Sequence, residues 1–257
     1  MRTIHFLYET KLTFDDYVHS HSFALRAIPP ETSTQHIGSC ELRIVPACST
    51  QQTTDAFGNN VTSGYLGEQH RFLDFTVSGT AEIDLNKPQT DYMPCYLYQS
   101  DLTKPDEAML AFYRECREKC AETDTIERVK RFSELLSERI EYRKGVTSPK
   151  TSAAEAFALG AGVCQDFSHI LISLLRLDGI AARYIAGLAF CDGETHAWVE
   201  YWCGTHWEGY DPANNNPVTE EYLVLSRGRD FGDCAIDRGV MLGSYTKQLQ
   251  LVRSALS

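Results

Sequence analysis

The chain has 257 residues, 43% hydrophobic and 23% charged, which is enough for one large domain or two smaller ones. Its net charge of −11 argues against a protein that coats nucleic acid or docks on anionic lipid, because both tasks need a basic surface. No apolar run approaches the roughly 18 residues of a membrane span, and the first residues lack the apolar stretch of a signal peptide. We therefore expect a cytoplasmic protein with no membrane segment.

Cysteine usage gives the first indication of chemistry. The sequence holds nine cysteines, an odd number, so at least one thiol stays outside any intrachain pair. A chain of this length needs no disulfide framework, and without an export signal most of its thiols should be reduced. The question is whether one of them is a nucleophile.

Residues 1–100 have the pattern of β-strands. Apolar and polar residues alternate, β-branched and aromatic residues are frequent, and clusters of turn-forming residues separate the runs. Alternating runs lie at 4–8, 23–27 and 72–77. These features predict a β-sandwich-like N-terminal domain over 1–100.

Beyond about residue 100 the hydrophobic pattern changes to the period of helices. Helical stripes lie after Pro105 and at 124–140, 153–159 and 163–177. Ser152 and Glu155 fit a capping box, and Gly160 fits a helix end. Strand-like segments follow at 182–189, 195–202, 206–210 and 248–252. We predict an α+β fold, with helices packed on an antiparallel sheet in a second domain at 101–257.

The first candidate for chemistry is Cys164, at the start of the helix predicted for 163–177. A thiol there feels the positive end of the helix dipole, which favours the thiolate. The N–H groups of the first turn have no helical partners, so they could donate hydrogen bonds to an oxyanion. A small buried side chain at a helix start is the structural alternative for a cysteine taken alone.

His196 and Asp211 supply the rest of the candidate site. A hairpin turn at Gly204 and Thr205 joins the strands that carry them. A two-residue turn places His196 and Asp211 on the same face as a diagonal pair, whereas a three-residue loop places them on opposite faces. In the first register Asp211 can orient His196 toward the Cys164 thiol. Cys164 would then attack, and His196 would take and return the proton.

Four segments carry a resemblance to a known family. They are GVCQDF at 162–167, LDGIAARYIAG at 177–187, THAWVE at 195–200 and YDPAN at 210–214. Together they resemble the transglutaminase-like core. Residues 1–100 and the segment GRDFGD at 228–233 are similar to bacterial transglutaminase-like proteins with a β-rich N-terminal domain. Ala181 departs from the family pattern, which often has proline there.

The resemblance implies a papain-like thiol site with Cys164 as nucleophile, His196 as base and Asp211 as the residue that orients the base. It leaves the reaction open, because family members hydrolyse amides, cross-link proteins or have lost catalysis. Since all three positions are filled, we expect a cysteine amidase or peptidase that acts on a protein or peptide amide through an acyl thioester. Acyl transfer to an amine and deamidation are the enzymatic alternatives, and a non-catalytic peptide-binding module is the alternative of another class.

Three further residues are candidates for the oxyanion site or the cleft. Gln165 follows the predicted nucleophile, Tyr142 lies where the family often has an aromatic residue, and Trp198 shares a strand face with the predicted base. Core packing is the competing interpretation for Tyr142 and Trp198. Asp230 and Asp233 could line the cleft and favour an amine-bearing substrate, or they could be solvated loop acids.

A metal site is a weaker interpretation of the same region. The possible ligands have irregular spacings and no Cys-x-x-Cys pair; they are Cys191, His196, Cys203 and His206. The sequence also has no Asp-x-Asp-x-Asp-Gly calcium loop. We therefore expect no metal and no cofactor. Cys116 and Cys120 lie four residues apart on a helix among apolar neighbours, and we expect both to be buried thiols.

Overall fold

A computed structural model describes residues 1–120, 124–190 and 195–257. A β-rich first region is followed by helices and by a second, antiparallel sheet. The predicted α+β class is confirmed.

The first region is built around one long strand. Its strands are β1 (Arg2–Leu25), β2 (Gln35–Val45), β3 (Thr50–Thr54), β4 (Asn60–Leu66) and β5 (His70–Ile83). The alternating runs at 4–8 and 23–27 therefore belong to a single strand. β1 pairs with β5 along its first half and with β4 near its end, and its register with β5 is irregular between Thr13 and Val18.

The helices of the second region surround one buried helix. They are α1 (Glu107–Lys119), α2 (Thr125–Arg139), α3 (Ala153–Leu159), α4 (Cys164–Leu177) and α5 (Phe231–Cys234), after a 3-10 helix at Pro94–Leu97. The capping box of Ser152 and Glu155 and the left-handed Gly160 begin and end α3 as predicted. α4 is buried on almost every side, because it packs between a sheet and the helices α2 and α3. None of the helices in the described ranges is long and apolar enough to cross a membrane.

The second sheet carries the strands that the sequence predicts, with additions. Its strands are β8 (Ala182–Ala189), β9 (His196–Trp202), β10 (Trp207–Asp211), β11 (Asn216–Pro217) and β12 (Tyr222–Gly228). They lie in the order β11-β10-β9-β8-β12. A separate parallel pair, β6 (Glu141–Tyr142) and β7 (Ala161–Gly162), leads into α4.

The last two strands return to the first region. β13 (Asp237–Gly243) and β14 (Gln248–Leu256) both pair antiparallel with β1 and complete a seven-stranded sheet. The sequence-based division assigns everything after residue 100 to the second domain, whereas these strands are hydrogen-bonded to the first region. The pattern at 248–252 indicates a strand, but a local pattern does not specify its distant partner. The boundary near residue 100 itself stays a prediction.

Two buried arginines hold the second region together: Arg176 joins α4 to the second sheet, and Arg183 joins two strands of that sheet. Arg176 on α4 donates to the Thr103 hydroxyl and to the Ala182 carbonyl, at 2.9 Å each. Arg183 on β8 donates to the Glu200 carboxylate on β9 at 2.6 Å. Buried charges are tolerated when they are paired in this way. The strands and the helix that carry the candidate site therefore have a fixed arrangement.

Candidate active site

Cys164 is the first residue of α4, as the sequence predicts. The preceding loop is held by the parallel pair of short strands, where the Arg143 N–H donates to the Gly162 carbonyl at 2.8 Å. The thiol is half-buried and lies at the positive end of the helix dipole, which favours a thiolate. Its role as nucleophile stays a prediction.

Asp166 holds the turn into α4. Its Oδ2 accepts hydrogen bonds from the Val163 N–H at 2.8 Å and from the Thr147 hydroxyl at 2.7 Å. Burial raises the pKa of this carboxyl, although the two hydrogen bonds act in the opposite direction. Only glycine fits at position 162, because an added Cβ would lie 2.6 Å from Oδ2 of Asp166. Asp166 is a structural residue of the turn that carries the thiol.

The hairpin has the register that brings His196 and Asp211 together. The Cys203 N–H donates to the His206 carbonyl at 3.0 Å, as a two-residue turn requires, and β9 and β10 continue in this register. His196 Nε2 lies 2.6 Å from Asp211 Oδ2, and both side chains are buried. The predicted register is confirmed. Because Nε2 faces the carboxylate, Nδ1 is the ring nitrogen that is left for Cys164.

The Asp211 carboxylate accepts four further hydrogen bonds. Oδ2 accepts from the Tyr222 hydroxyl at 2.9 Å and the Asn214 amide at 2.8 Å. Oδ1 accepts from the N–H groups of Ala213 at 3.0 Å and Asn214 at 3.2 Å. Burial alone raises the pKa of Asp211, but the hydrogen bonds with His196 and these donors outweigh it and lower that pKa. The carboxylate is therefore ionised. The sequence did not indicate that Tyr222 and Asn214 would donate hydrogen bonds to it.

His196 is held in its protonated form. Burial lowers the pKa of the imidazole, but hydrogen bonds with Asp211 and with the Cys164 side chain outweigh burial and raise the pKa of His196 to about 10. At neutral pH both ring nitrogens thus carry protons, so Nε2 donates to Asp211 and Nδ1 can donate to the sulfur. A protonated imidazole next to a cysteine is the arrangement that enzymes with a cysteine nucleophile use.

Cys164 and His196 open into one cleft of about 570 Å³. Its walls come from the start of α4, from β8 and β9, from α5 and, unexpectedly, from the C-terminal strand β14. The residues that line it are Tyr142, Lys144, Val163, Cys164, Gln165, Tyr184, Ala186, Thr195, His196, Ala197, Phe231, Ile236, Gln250, Leu251 and Val252. The cleft is therefore bounded by both regions of the chain.

The three additional candidates occupy different places. Gln165 and Tyr142 line the cleft, and the Tyr142 ring is 47% exposed and lies 6.3 Å from that of Phe167. Trp198 is only 1% exposed and lies outside the cleft lining. Its ring is nearly parallel to that of His196 at 6.4 Å. Trp198 therefore covers the histidine from the protein side, whereas Gln165 and Tyr142 line the cleft.

Asp230 and Asp233 do not line this cleft. They line a neighbouring cavity of about 890 Å³ between the two regions. Asp230 caps α5 by accepting from the Gly232 N–H at 2.7 Å, and Asp233 forms an ion pair with Arg229 at 2.8 Å. The suggestion that these acids select an amine-bearing substrate is wrong for this cleft, because their carboxylates have structural partners elsewhere.

Tyr184 is a cleft residue that sequence reasoning did not single out. Burial raises the pKa of Tyr184 well above its ordinary value, so its hydroxyl stays protonated. Its ring packs 5.0 Å from that of His169, whose Nε2 accepts from the Phe231 N–H at 3.1 Å. Burial lowers the pKa of His169 to about 4, so this histidine is neutral. His169 is a core residue that supports the cleft wall.

The thiols other than Cys164 differ in exposure. Cys116 and Cys120 are buried as predicted, and burial raises the pKa of Cys116 to about 12. Cys40 is exposed on β2, an edge strand of the first sheet.

The proposed zinc ligands are only partly described by the structure. Cys191 lies outside the described residues. Cys203 Sγ lies 3.3 Å from His206 Nδ1, whereas His196 is bonded to Asp211. Across the described ranges, no group of three or more possible ligands is close enough to hold a metal ion.

The fold and the site together define an α+β protein with a transglutaminase-like core, in which a helix presents a cysteine and adjacent strands present a histidine and an aspartate. Residues 113–212 match the family model described as the transglutaminase-like superfamily. Residues 4–82 match the bacterial transglutaminase-like N-terminal region. Residues 113–212 therefore belong to the transglutaminase-like superfamily.

Similar proteins extend over almost the whole chain. An uncharacterized protein of Mycobacterium leprae is 27% identical over 98% of this chain and 96% of its own length. An uncharacterized protein of Mycobacterium bovis is 26% identical over 91% of this chain and 86% of its own length. The crystal structure of a candidate cysteine protease from Cytophaga hutchinsonii covers 99% of this chain and 91% of that chain, with a TM-score of 0.78 and 20% identity. At this identity the likeness shows the fold.

Proposed function

We propose that the protein is a cysteine-dependent amidase or peptidase that forms an acyl thioester on Cys164. The observation that carries the proposal is the shared cleft of Cys164 and His196, together with the 2.6 Å hydrogen bond that holds the far side of His196 on the buried Asp211. A thiol beside a protonated imidazole at a helix start has the components of an activated nucleophile.

The reaction follows from these positions. The Cys164 sulfur attacks the amide carbonyl carbon, a C–S bond forms, and the carbonyl oxygen becomes an oxyanion. The N–H groups at the start of α4 can donate to that oxygen. His196 then gives its proton to the leaving nitrogen as the C–N bond breaks. In the second half, His196 takes a proton from water, the hydroxide attacks the thioester, and the thiolate leaves.

Hydrolysis is the proposed outcome because none of the residues that line the described cleft is an aspartate or a glutamate. No lining carboxylate is therefore placed to attract an acceptor amine, whereas water needs no such group. Acyl transfer to an amine and deamidation of glutamine are the other reactions that the same thioester allows.

A peptide library offered with and without a primary amine tests the proposal by mass spectrometry. Shortened peptides indicate a peptidase, loss of ammonia with addition of the amine indicates a transferase, and a gain of about one mass unit on glutamine indicates a deamidase. Cys164→Ala should abolish every product. Products that persist in Cys164→Ala would contradict the thioester, and peptide binding that survives without any turnover would indicate a binding module. A cytoplasmic location is a further proposal, which fractionation of cells tests.

A further inference from the structure

The C-terminal strand β14 has one hydrogen-bonded edge and one edge directed at the catalytic cleft. β14 pairs with β1 from Phe6 to Phe14 without a register irregularity. Among the described strands, β1 is its only partner. Gln250, Leu251 and Val252 of β14 line the cleft together with Cys164 and His196. A strand edge therefore forms one wall of the candidate active site.

The register shows which main-chain groups of β14 do not bond to β1. His5 and Ser257 exchange both N–H and C=O bonds, at 2.8 and 3.0 Å, and the Asp15 N–H donates to the Lys247 carbonyl at 3.2 Å. In an antiparallel ladder such hydrogen-bonded pairs occur at every second residue. Counting from both ends, the odd-numbered residues of β14 bond to β1. The even-numbered residues, among them Gln250 and Val252, direct their N–H and C=O groups away from β1.

The residues that line the cleft beside β14 suit the binding of an extended peptide. Gln250 and Val252 are the even-numbered residues of β14 that line the cleft, and neither carries a charge. On the opposite wall, Ala186, Phe231 and Ile236 offer apolar side chains. Extended peptides bind such edges by adding a strand, so that main-chain hydrogen bonds give affinity and alternate side chains enter neighbouring pockets.

We propose that the outer edge of β14 binds an extended peptide substrate as an added strand and so places its amide at Cys164. The inference rests on the proposed thiol function and names its substrate class: an unfolded or extended segment of protein rather than a small amide. The proposed main-chain partners are the N–H and C=O groups of Val252, and an apolar substrate side chain would enter the space that Phe231 and Ile236 line.

Alkylating peptides test this edge independently of the natural reaction. The probes are alanine peptides of one residue or of about six residues, with a chloroacetyl group at the N-terminus or a chloromethyl ketone at the C-terminus. Attack by Cys164 forms a C–S bond and releases chloride, so the second-order rate of labelling reports binding near the thiol. We expect the longer peptide of at least one series to label Cys164 about tenfold faster than its short counterpart, as a few hydrogen bonds imply.

Proline variants then locate the contact. Val252→Pro removes an N–H that does not bond to β1, so the strand should persist, and the advantage of the longer probe should fall about threefold to tenfold. Gln248→Pro is the matched control, because its N–H also faces away from β1 but Gln248 is outside the cleft lining. It should keep the full advantage. With the wild-type chain, two sets of probes are compared, one N-methylated at the odd-numbered and one at the even-numbered residues of the peptide. Only one set should lose the advantage of length, because only every second N–H of the peptide would bond to β14.

The outcomes separate this inference from the proposed function. One contrary result is that the long probe keeps the same advantage in Val252→Pro as in the wild-type chain, and another is that it keeps the advantage after N-methylation. Either result would overturn the proposed binding at the β14 edge and leave the thiol function intact. An edge that pairs with a second copy of the chain would give a dimer and no advantage of length, which also overturns it. If no probe, short or long, labels Cys164 faster than the other described thiols, the proposed function fails instead.

Discussion

Replacing Asp211 with asparagine keeps the shape of the side chain and removes the charge that holds His196. In the native chain Oδ2 accepts from His196 at 2.6 Å, from the Asn214 amide at 2.8 Å and from the Tyr222 hydroxyl at 2.9 Å. An amide nitrogen in that position accepts none of these hydrogen bonds. The Tyr222 hydroxyl can rotate and become an acceptor, but the exposed Asn214 amide and the buried His196 ring each lose an acceptor.

The expected magnitude follows from these two losses. A hydrogen bond to a charged group contributes about 1.5–3 kcal/mol, and a buried donor without an acceptor adds a penalty. Asp211→Asn should therefore lower the free energy of unfolding by about 3–6 kcal/mol near pH 6. That is a large part of the about 5–15 kcal/mol that stabilises a typical domain.

The loss should also depend on pH in a defined direction. The pKa of His196 is raised from 6.5 to about 10, so its stabilisation is fully present below pH 6.5 and is lost as the pH rises through about 10. The pKa of Asp211 is lowered from 3.8, so its stabilisation is present above pH 3.8 and is lost in more acidic solution. The difference between wild type and Asp211→Asn should be largest between about pH 4 and 6.5. Urea unfolding at fixed pH values and an NMR titration of the His196 ring measure it.

Asp178→Asn is the matched control. The Asp178 side chain is also buried and accepts from the Tyr113 hydroxyl at 3.0 Å, but its charged partners are Arg117 at 2.9 Å and Arg128 at 2.7 Å, which stay charged over this range of pH. Its loss of stability should be constant from about pH 6.5 to pH 10. The same pH profile for both variants, or a wild-type His196 ring that titrates near 6.5, would refute the reasoning.

Three further changes test other contacts. Gly162→Ala places a Cβ 2.6 Å from the Asp166 carboxylate, so alkylation of the active-site thiol should slow at least tenfold, measured with iodoacetamide. Tyr222→Phe removes one donor from the Asp211 carboxylate and should lower the melting temperature by about 3–10 °C. Arg183→Met leaves the Glu200 carboxylate buried and unpaired, which should cost about 3–5 kcal/mol in urea unfolding. A wild-type result for any of the three would contradict the contact on which it rests.

Local signals were sufficient for much of the site. The helix start at Cys164 follows from a glycine-bearing loop before an amphipathic stripe, and the register of His196 and Asp211 follows from the length of one hairpin turn. These features depend on neighbouring residues in the chain. They are therefore readable without knowledge of the rest of the fold.

The remaining features depend on contacts between distant segments. Tyr222 reaches Asp211 because β12 lies in the same sheet, and β14 lines the cleft because it pairs with β1 at the other end of the chain. Ile126 fits the helical stripe of α2 but is 56% exposed, because the stripe alone does not show which part of a helix is covered. Pairing and coverage of this kind are decided by the whole fold.

Comparison of thiol reactivity tests the central claim most directly. Cys164 is half-buried, whereas Cys40 is exposed. If the site activates its cysteine, iodoacetamide near neutral pH should label Cys164 faster than Cys40 and faster than every other described thiol, as measured by mass spectrometry of digested protein. His196→Ala should remove most of that difference. Labelling that follows exposure alone, with Cys40 first, or a Cys164 rate that His196→Ala leaves unchanged, would contradict the account.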